Sequence, residues 1–589
     1  MYKGIAVSPG VVVGTAYRVE SVFGSHEPQV LESESSVAEE VEKFRRALQD
    51  SMVELETLIV RVGQQLGPAE AGIFESHRQI VNDPSLHAKV VDSITARRLT
   101  ALSALQIVLQ GYVAGFARIE QDFFRERLAD LRDVFTRIAS HLTTQSSPLS
   151  AKFEGAAASG EPTILVAHEI LPSQAMSLGS LPIAGIVTEV GGGTSHAAIL
   201  ARSRGIPAVS GVEEIAGDVR SGDTIIVDGR EGVVIVRPDA ETTAAYRKIQ
   251  REFFDLKDRL VLNRDQPSIS ADGAQIELLA NINNVADAQA AVKVGAGGVG
   301  LFRTEYLFLT HAAVPDEEEQ YQYYRQIIEA APSRTVTIRT LDVGGDKTVP
   351  YLGRRDEPNP FMGWRSIRLS FEHPRLFERQ IRAILRAGRH GKVSMLFPMI
   401  TTLEELRHVN RMVEDCRLGL QREGVPFGDD VKTGVMIEVP AAAVCIDAIL
   451  RETDFISIGS NDLIQYLVAA DRDNPKVAHL CEPLSPAIFK VLSMVLEASG
   501  RTGTPVTVCG EMAGQPRSVL VLFGLGLRRF SMSPAFVPTI KSLLGSVTTA
   551  QAERYAHQVL QLKTSDEIRR YLTDRLHEVS SDLEAFDSR

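Results

Sequence analysis

Two rhythms of apolar residues alternate along this chain. The opening MYKGIAVSPGVVVGTAYRV holds short apolar runs split by Pro9-Gly10, which predicts two strands around a turn and not a signal peptide. Between about residues 30 and 145 glycine and proline thin out and apolar residues recur at helical spacing, as in VAEEVEKFRRALQDSMVELETLIVRV. Several helices with short connections predict an antiparallel bundle. From Thr163 the strand rhythm returns in TILVA, IAGIVTE, IPAVSG, DTIIVDG and GVVIVRP. These strands need partners, and the opening strands have nothing else to pair with. The bundle therefore reads as an insertion within one α/β domain built from both flanks. AETTAAYRKIQREFFDLKDRLVLN follows as a polar helical connector, and DQPSISADG as a linker or turn.

From Gln275 the two rhythms interleave. QIELLANI, GGVGLFRT, TVTIRTLD, VSMLFPMI, KTGVMIEV, FISIGSND, PVTVCGE and RRFSMSP read as eight strands with amphipathic helices between them. That pattern predicts a closed (β/α)₈ TIM barrel, since a doubly wound open sheet would show fewer strands. The expected organisation is α/β and multidomain. A discontinuous domain takes residues 1–25 and 146–238, an inserted helical domain 26–145, a helical linker 239–270, and the barrel 271–589.

Composition narrows the partners. The 589 residues carry 63 Lys and Arg against 75 Asp and Glu, a net charge of −12, which argues against a nucleic acid. It leaves room for a small anion in a local cluster of arginines. Cys416, Cys445, Cys481 and Cys509 have no CxxC spacing, so a disulfide framework or zinc site is not expected and a reducing cytoplasm is the simplest home. Cys416 and Cys445 lie in helical patterns and read as core. No apolar run approaches 18 or so residues, so no membrane insertion is expected.

In such barrels chemistry sits at the carboxyl ends of the strands, and there the charges fall. Arg303 closes GGVGLFR, Arg339 closes TVTIR, and Arg365 follows in the elaborated loop NPFMGWRSIR. Glu438 ends GVMIE, Asn461 and Asp462 follow FISIGS, Arg472 comes soon after, and Cys509 ends PVTVC. Guanidinium groups converging on one mouth match a small, highly charged anion held in bidentate fashion. Glu438 and Asp462 offer two hard oxygen ligands of the kind Mg²⁺ takes alongside waters and substrate oxygens. Cys509 is either a buried structural thiol or, beside those cations, a proton donor or nucleophile.

A second site stands in GGGTSHAAILARSRG. His196 follows three glycines at the predicted start of a helix, where backbone N–H groups and the helix dipole favour an anion. A neutral imidazole there is a competent nucleophile for a phosphoryl group; the plainer alternative is a capping serine with an incidental histidine. No GK[ST] makes a nucleotide loop and no G-x-S-x-G makes a hydrolase elbow. Together the two sites read as a relay, with a barrel that binds a phosphorylated acid and a mobile histidine that takes its phosphoryl group.

These residues resemble the Enzyme I family of the bacterial phosphotransferase system, the phosphoenolpyruvate–protein phosphotransferases among the PEP-utilising enzymes. The likeness runs through KGIAVSPG, GGGTSHAAILAR, GLFRTEYLF, DVGGDK, NPFMGWRSIR, EVPAA, IGSNDLIQY and CGEMAG. Domain order and length favour this family over pyruvate phosphate dikinase and phosphoenolpyruvate synthase, which need room for a nucleotide-binding domain. The resemblance implies a swivelling phosphohistidine domain whose His196 accepts the phosphoryl group. It also implies phosphoenolpyruvate ligands at Arg303, Arg339, Arg472, Asn461 and Asp462, with Arg365 second-ranked at the phosphate, and Mg²⁺ ligands at Glu438 and Asp462. Cys509 becomes the acid that protonates the enolate as pyruvate leaves. The inserted bundle would dock a small HPr-like histidine phosphocarrier protein, and the barrels would form a homodimer. The sequence departs from the family pattern at Gly193, where arginine is common, and at Leu171, where threonine is common. Alternative readings are a paralogue feeding a regulatory phosphotransfer branch, a relative served by a separate nucleotide-binding subunit, and a non-catalytic regulator that senses phosphoenolpyruvate.

Overall fold

The computed structural model describes every residue except 20–27, 32, 66–73, 75–76, 117–121, 144–161, 171–173, 175–180, 191–200, 202–204, 310–313, 345–356, 358, 473, 475, 581–582 and 584–589. The chain divides into two compact units within the helix Ala240–Leu262, one comprising Met1–Lys248 and the other Ile249–Leu309 with Ala313–Arg589.

The first unit is built on an eight-stranded mixed sheet. Its strands are β1 (Tyr2–Lys3), β2 (Ile5–Ser8), β3 (Val11–Arg18), β4 (Thr163–Ala167), β5 (Ile183–Thr188), β6 (Ala208–Ser210), β7 (Thr224–Asp228) and β8 (Val233–Val236), in the order β1-β8-β7-β3-β4-β5-β6-β2. The opening stretch forms three strands where two were expected, and they pair, as expected, with strands from beyond the helices. None of the three pairs with another of them: β2 takes one edge beside β6, β1 the other beside β8, and β3 runs between β7 and β4. Continuous apolar runs explain it, because Val11, Val12 and Val13 are all buried and suit a central strand covered on both faces.

The helices Glu34–Gln65, Pro84–Arg97, Ala101–Phe116 and Asp122–Leu142 all fall between β3 and β4. Those two strands are parallel neighbours in register from Thr15↔Thr163 to Arg18↔Val166. The chain thus leaves the sheet and returns beside its point of departure, as an insertion requires. The helices bury a core of their own around Phe44, Leu55, Phe74, Val90, Ile94, Leu105 and Phe135. At its rim Glu54, on the first of these helices, is held by two residues of the last. Burial alone would raise the Glu54 carboxyl, but His141 at 2.8 Å and Arg137 hold it below its ordinary range.

The second unit contains the expected barrel. Eight parallel strands close on themselves: β9 (Glu277–Ile282), β10 (Val299–Arg303), β11 (Val336–Arg339), β12 (Val393–Phe397), β13 (Lys432–Ile437), β14 (Phe455–Ile458), β15 (Val506–Val508) and β16 (Arg529–Met532). Alternation sorts their side chains. Phe302, Met395, Phe397, Val435 and Ile437 join the apolar layer under the helices, whereas Leu301, Leu396, Met436, Phe455 and Cys509 form a separate small cluster. The helices begin where their caps stop competing structures. Asp316 with Glu319 and Thr402 with Glu405 make reciprocal capping boxes, and Gly424 in the left-handed region ends the helix Leu403–Glu423. Among the described residues no helix is long and apolar enough to cross a membrane. Cys416 is buried as expected, but Cys445 is exposed, because it falls in the break between two short helical turns, Pro440–Val444 and Ile446–Ile449.

Gly14 marks a tight point of the sheet, since a Cβ there would collide with the Pro162 carbonyl oxygen that receives the Thr15 amide at 2.9 Å. Gly14→Ala is expected to destabilise the first unit by about 1–3 kcal/mol while leaving the barrel unfolding transition in place. Differential scanning calorimetry reads this directly, and a scan identical to wild type would contradict it.

Candidate active site

The register of the barrel sets the site. β10 and β11 pair so that Arg303 lies directly across from Arg339, two cationic side chains abreast at the carboxyl ends of adjacent strands. Their surroundings differ. Arg339 is buried and pairs with Glu305 at 2.9 Å and Asp342 at 3.0 Å. Burial opposes its charge, yet Glu305 and then Asp342 hold the guanidinium well above its usual value. Arg303 is half-buried and makes no ion pair or hydrogen bond among the described residues. Burial, and next the like charge of Arg339, pull it below its usual value. An arginine in that position is a hole awaiting an anion.

A chain of charges continues from this pair around the mouth. Asp342 accepts from Arg365 at 3.0 and 3.1 Å as well as from Arg339. Arg365 reaches Asp462 at 3.4 Å and the Tyr466 hydroxyl at 3.1 Å, and Arg472 reaches the same Asp462 oxygen at 3.3 Å. Burial works against Arg365, but Asp342 and then Asp462 keep it firmly charged. The Phe361 ring lies 5.9 Å from the Arg365 guanidinium and 5.8 Å from that of Arg472, an aromatic face toward both cations. Asn461 accepts the Glu511 amide on Oδ1 at 3.0 Å, so its Nδ2 remains as a donor.

Glu438, 1% exposed, accepts the Met399 amide on Oε1 at 2.7 Å. Met399 adopts φ +57, a left-handed conformation that is costly without glycine and that aims its N–H at the carboxylate. Burial first, then Asp462 and Asp342, push the Glu438 carboxyl up to about 8. Cys509 is 3% exposed, and its thiol donates to the Ile458 carbonyl at 3.5 Å. Burial raises that thiol to about 11, so it stays protonated near neutral pH.

The barrel therefore brings Arg339, Arg365, Asp462 and Arg472 into one network, sets Arg303 beside it by strand pairing, and places Glu438 and Cys509 within its field. His196, with Gly193 and Leu171, lies outside the described residues. Glu305 and Asp342 are site residues that the reading by strand ends overlooked, although both sit in quoted strings, FRTEY and LDVGGDK. The signal was their spacing, two or three residues beyond an arginine that closes a strand.

Comparison with known proteins matches residues 257–549 to the PEP-binding domain of the PEP-utilising enzymes, 3–127 to their N-terminal domain and 159–232 to their mobile domain. The phosphoenolpyruvate-protein phosphotransferase of Staphylococcus carnosus is 38% identical over 96% of this chain and 97% of its own. Its namesake in Bacillus subtilis is 36% identical over 96% and 98%. The chain belongs to the phosphoenolpyruvate–protein phosphotransferase family.

Phosphoenolpyruvate–protein phosphotransferases are transferases, and every barrel residue named above falls within the stretch matched as PEP-binding. Among the described residues no group of three or more His, Cys, Asp and Glu side chains is arranged to hold a metal alone. The donor set nonetheless suits a divalent cation that keeps waters and substrate oxygens. Asp342 gives both oxygens to arginines, whereas the described contacts of Asp462 and Glu438 use one oxygen of each, and their like charge is one a cation would neutralise.

The contrast between the two arginines has a measurable consequence. Arg339→Met strands the buried Glu305 and leaves Asp342 to Arg365 alone, and is expected to cost about 3–5 kcal/mol. Arg303→Met removes a repelled, unpaired charge and is expected to leave the ligand-free barrel at least as stable as wild type. Urea midpoints of the two variants test this, and equal losses would refute it.

Proposed function

We propose that this phosphotransferase moves the phosphoryl group of phosphoenolpyruvate to its own His196, releases pyruvate, and passes the group to the histidine of a small HPr-like phosphocarrier, the first step of the sugar phosphotransferase system. The observation that carries the reading is the unpaired Arg303 beside Arg339, a cationic cradle in a chain of net charge −12. Arg303, Arg339 and Arg472 take the phosphate and carboxylate oxygens, Arg365 stands at the phosphate, and Asn461 Nδ2 and the Asp462 backbone lie beside them. Fixed charges of this kind stabilise a transferring phosphoryl group without reorganising during the reaction.

Glu438 and Asp462 hold the divalent cation, Mg²⁺, which when bound neutralises charge on the transferring group. Cys509, buried and protonated, supplies the proton that turns the departing enolate into pyruvate. Residues 1–25 and 146–238 carry the histidine, 26–145 dock the carrier, 239–270 link, and the barrel at 271–589 associates as a homodimer. Four free cysteines agree with a cytoplasmic setting.

Incubation with phosphoenolpyruvate and Mg²⁺, without nucleotide, is expected to put an acid-labile phosphate on His196 with equivalent pyruvate release. Mass spectrometry under alkaline handling maps it. Binding without any label would move the reading to a phosphoenolpyruvate-sensing regulator.

Mg²⁺ affinity supplies a second test. The cation needs Glu438 ionised, and in the metal-free protein that carboxyl titrates at about 8. Below that value affinity is expected to rise about tenfold per pH unit, with about one proton released per ion bound, and to level off above it. Calorimetric titration at several pH values measures both, and an affinity flat from pH 6 to 8 would count against Glu438 as a ligand.

A further inference from the structure

The peptide that carries Cys509 is held on both sides by hydrogen bonds. The Cys509 amide donates to the Ile458 carbonyl at 3.0 Å, and the thiol of the same residue donates to that carbonyl at 3.5 Å. On the other side, Asn281 Nδ2 donates to the Cys509 carbonyl at 2.9 Å from β9, two strands round the barrel from β15. Two residues on, the Glu511 amide is held by Asn461. Asn281 is itself locked, because the Ser531 hydroxyl on β16 donates to its Oδ1 at 2.6 Å. With an acceptor on Nδ2 and a donor on Oδ1, the amide has one orientation. Room for this arrangement comes from Gly300, where a Cβ would collide with Ser531 Oγ.

We propose that Asn281, oriented by Ser531, is the positioning residue that aims the Cys509 thiol at the enolate carbon. The inference rests on the reading of Cys509 as proton donor. Phosphoryl transfer breaks the bridging P–O bond and leaves its electron pair on the enolate oxygen. As that oxygen becomes the ketone, the C2–C3 π pair takes the proton from Sγ to form the new C–H bond. The thiolate then regains a proton from solvent. The thiol is reached only through the backbone that carries it, so a peptide plane free to turn would swing Sγ away from its target, and small errors of aim are costly to a proton transfer. A hydrogen bond between two side chains and a carbonyl on three different strands fixes that plane more firmly than packing against Leu301 and Met436 would.

The full-length chain tests this with two readouts. Asn281→Ala is expected to lower kcat for pyruvate formation about tenfold with KM for phosphoenolpyruvate unchanged. It is also expected to speed iodoacetamide labelling of Cys509 severalfold while the buried Cys416 labels at its wild-type rate. Ser531→Ala shifts both readouts the same way to a smaller extent, and Ser531→Thr, which restores the hydroxyl, returns them toward wild type. The inference is overturned by a wild-type kcat in Asn281→Ala, by a raised KM with kcat intact, which would make Asn281 a substrate ligand, or by Cys416 and Cys509 labelling faster together. Cys509→Ala separates the two claims. Full turnover in that variant sinks the proton-donor reading itself, whereas its loss alongside an unaffected Asn281→Ala sinks only the positioning role.

Discussion

The barrel is organised around a repulsion. Parallel pairing of β10 and β11 sets Arg303 opposite Arg339, and two guanidinium groups at that distance from bulk water are tolerable only if negative charge is brought to them. Glu305 and Asp342 supply it for one of the pair by direct contact, while Glu305 and Glu511 reach the other only through space. The rest of the mouth follows from that imbalance. Asp342 recruits Arg365, Arg365 recruits Asp462, and Asp462 recruits Arg472, so each charge is partly satisfied and none is fully relaxed. A site built this way is held open for an anion by its own electrostatics, a cost in stability of the kind functional sites carry.

The same imbalance explains the opposite shifts on neighbouring groups. Arg303 is pulled down and Glu438 up, although they belong to one mouth, because each lacks a counter-charge that its neighbours have already claimed. Met399 adds a second form of stored cost. Its left-handed backbone delivers an amide to Glu438, so one carboxylate oxygen is fixed in place by strain in the loop after β12.

Much of this was legible in the residue pattern because barrels put chemistry at strand ends, and eight alternating strands locate those ends within a residue or two. Arg303, Arg339, Glu438 and Cys509 all stand at or just beyond the strand termini that periodicity marks. Other features were not legible, for physical reasons. Glu305 and Asp342 act by folding back onto an arginine, and a one-dimensional pattern does not show which acid turns inward. Asn281 and Ser531 lie at opposite ends of the barrel sequence and meet only because β16 closes onto β9. The opening stretch was read as two strands because Pro9-Gly10 is its plain break, whereas the structure divides it again at Gly4, between β1 and β2. Cys445 looked buried since its neighbours are apolar, but a break between two short helical turns leaves it outside.

The crossover from β3 to β4 carries a different lesson. Adjacent parallel strands need a connection of only a dozen or so residues, yet here the described part of it holds long helices with a separate apolar core, and the amide of Val19 still bonds Val166 at 2.8 Å as though the excursion were absent. The sheet is indifferent to what the crossover contains. Such a seam lets a lineage graft, trade or prune a whole helical module, and with it the surface shown to other proteins, while the strands beneath keep the register they already had.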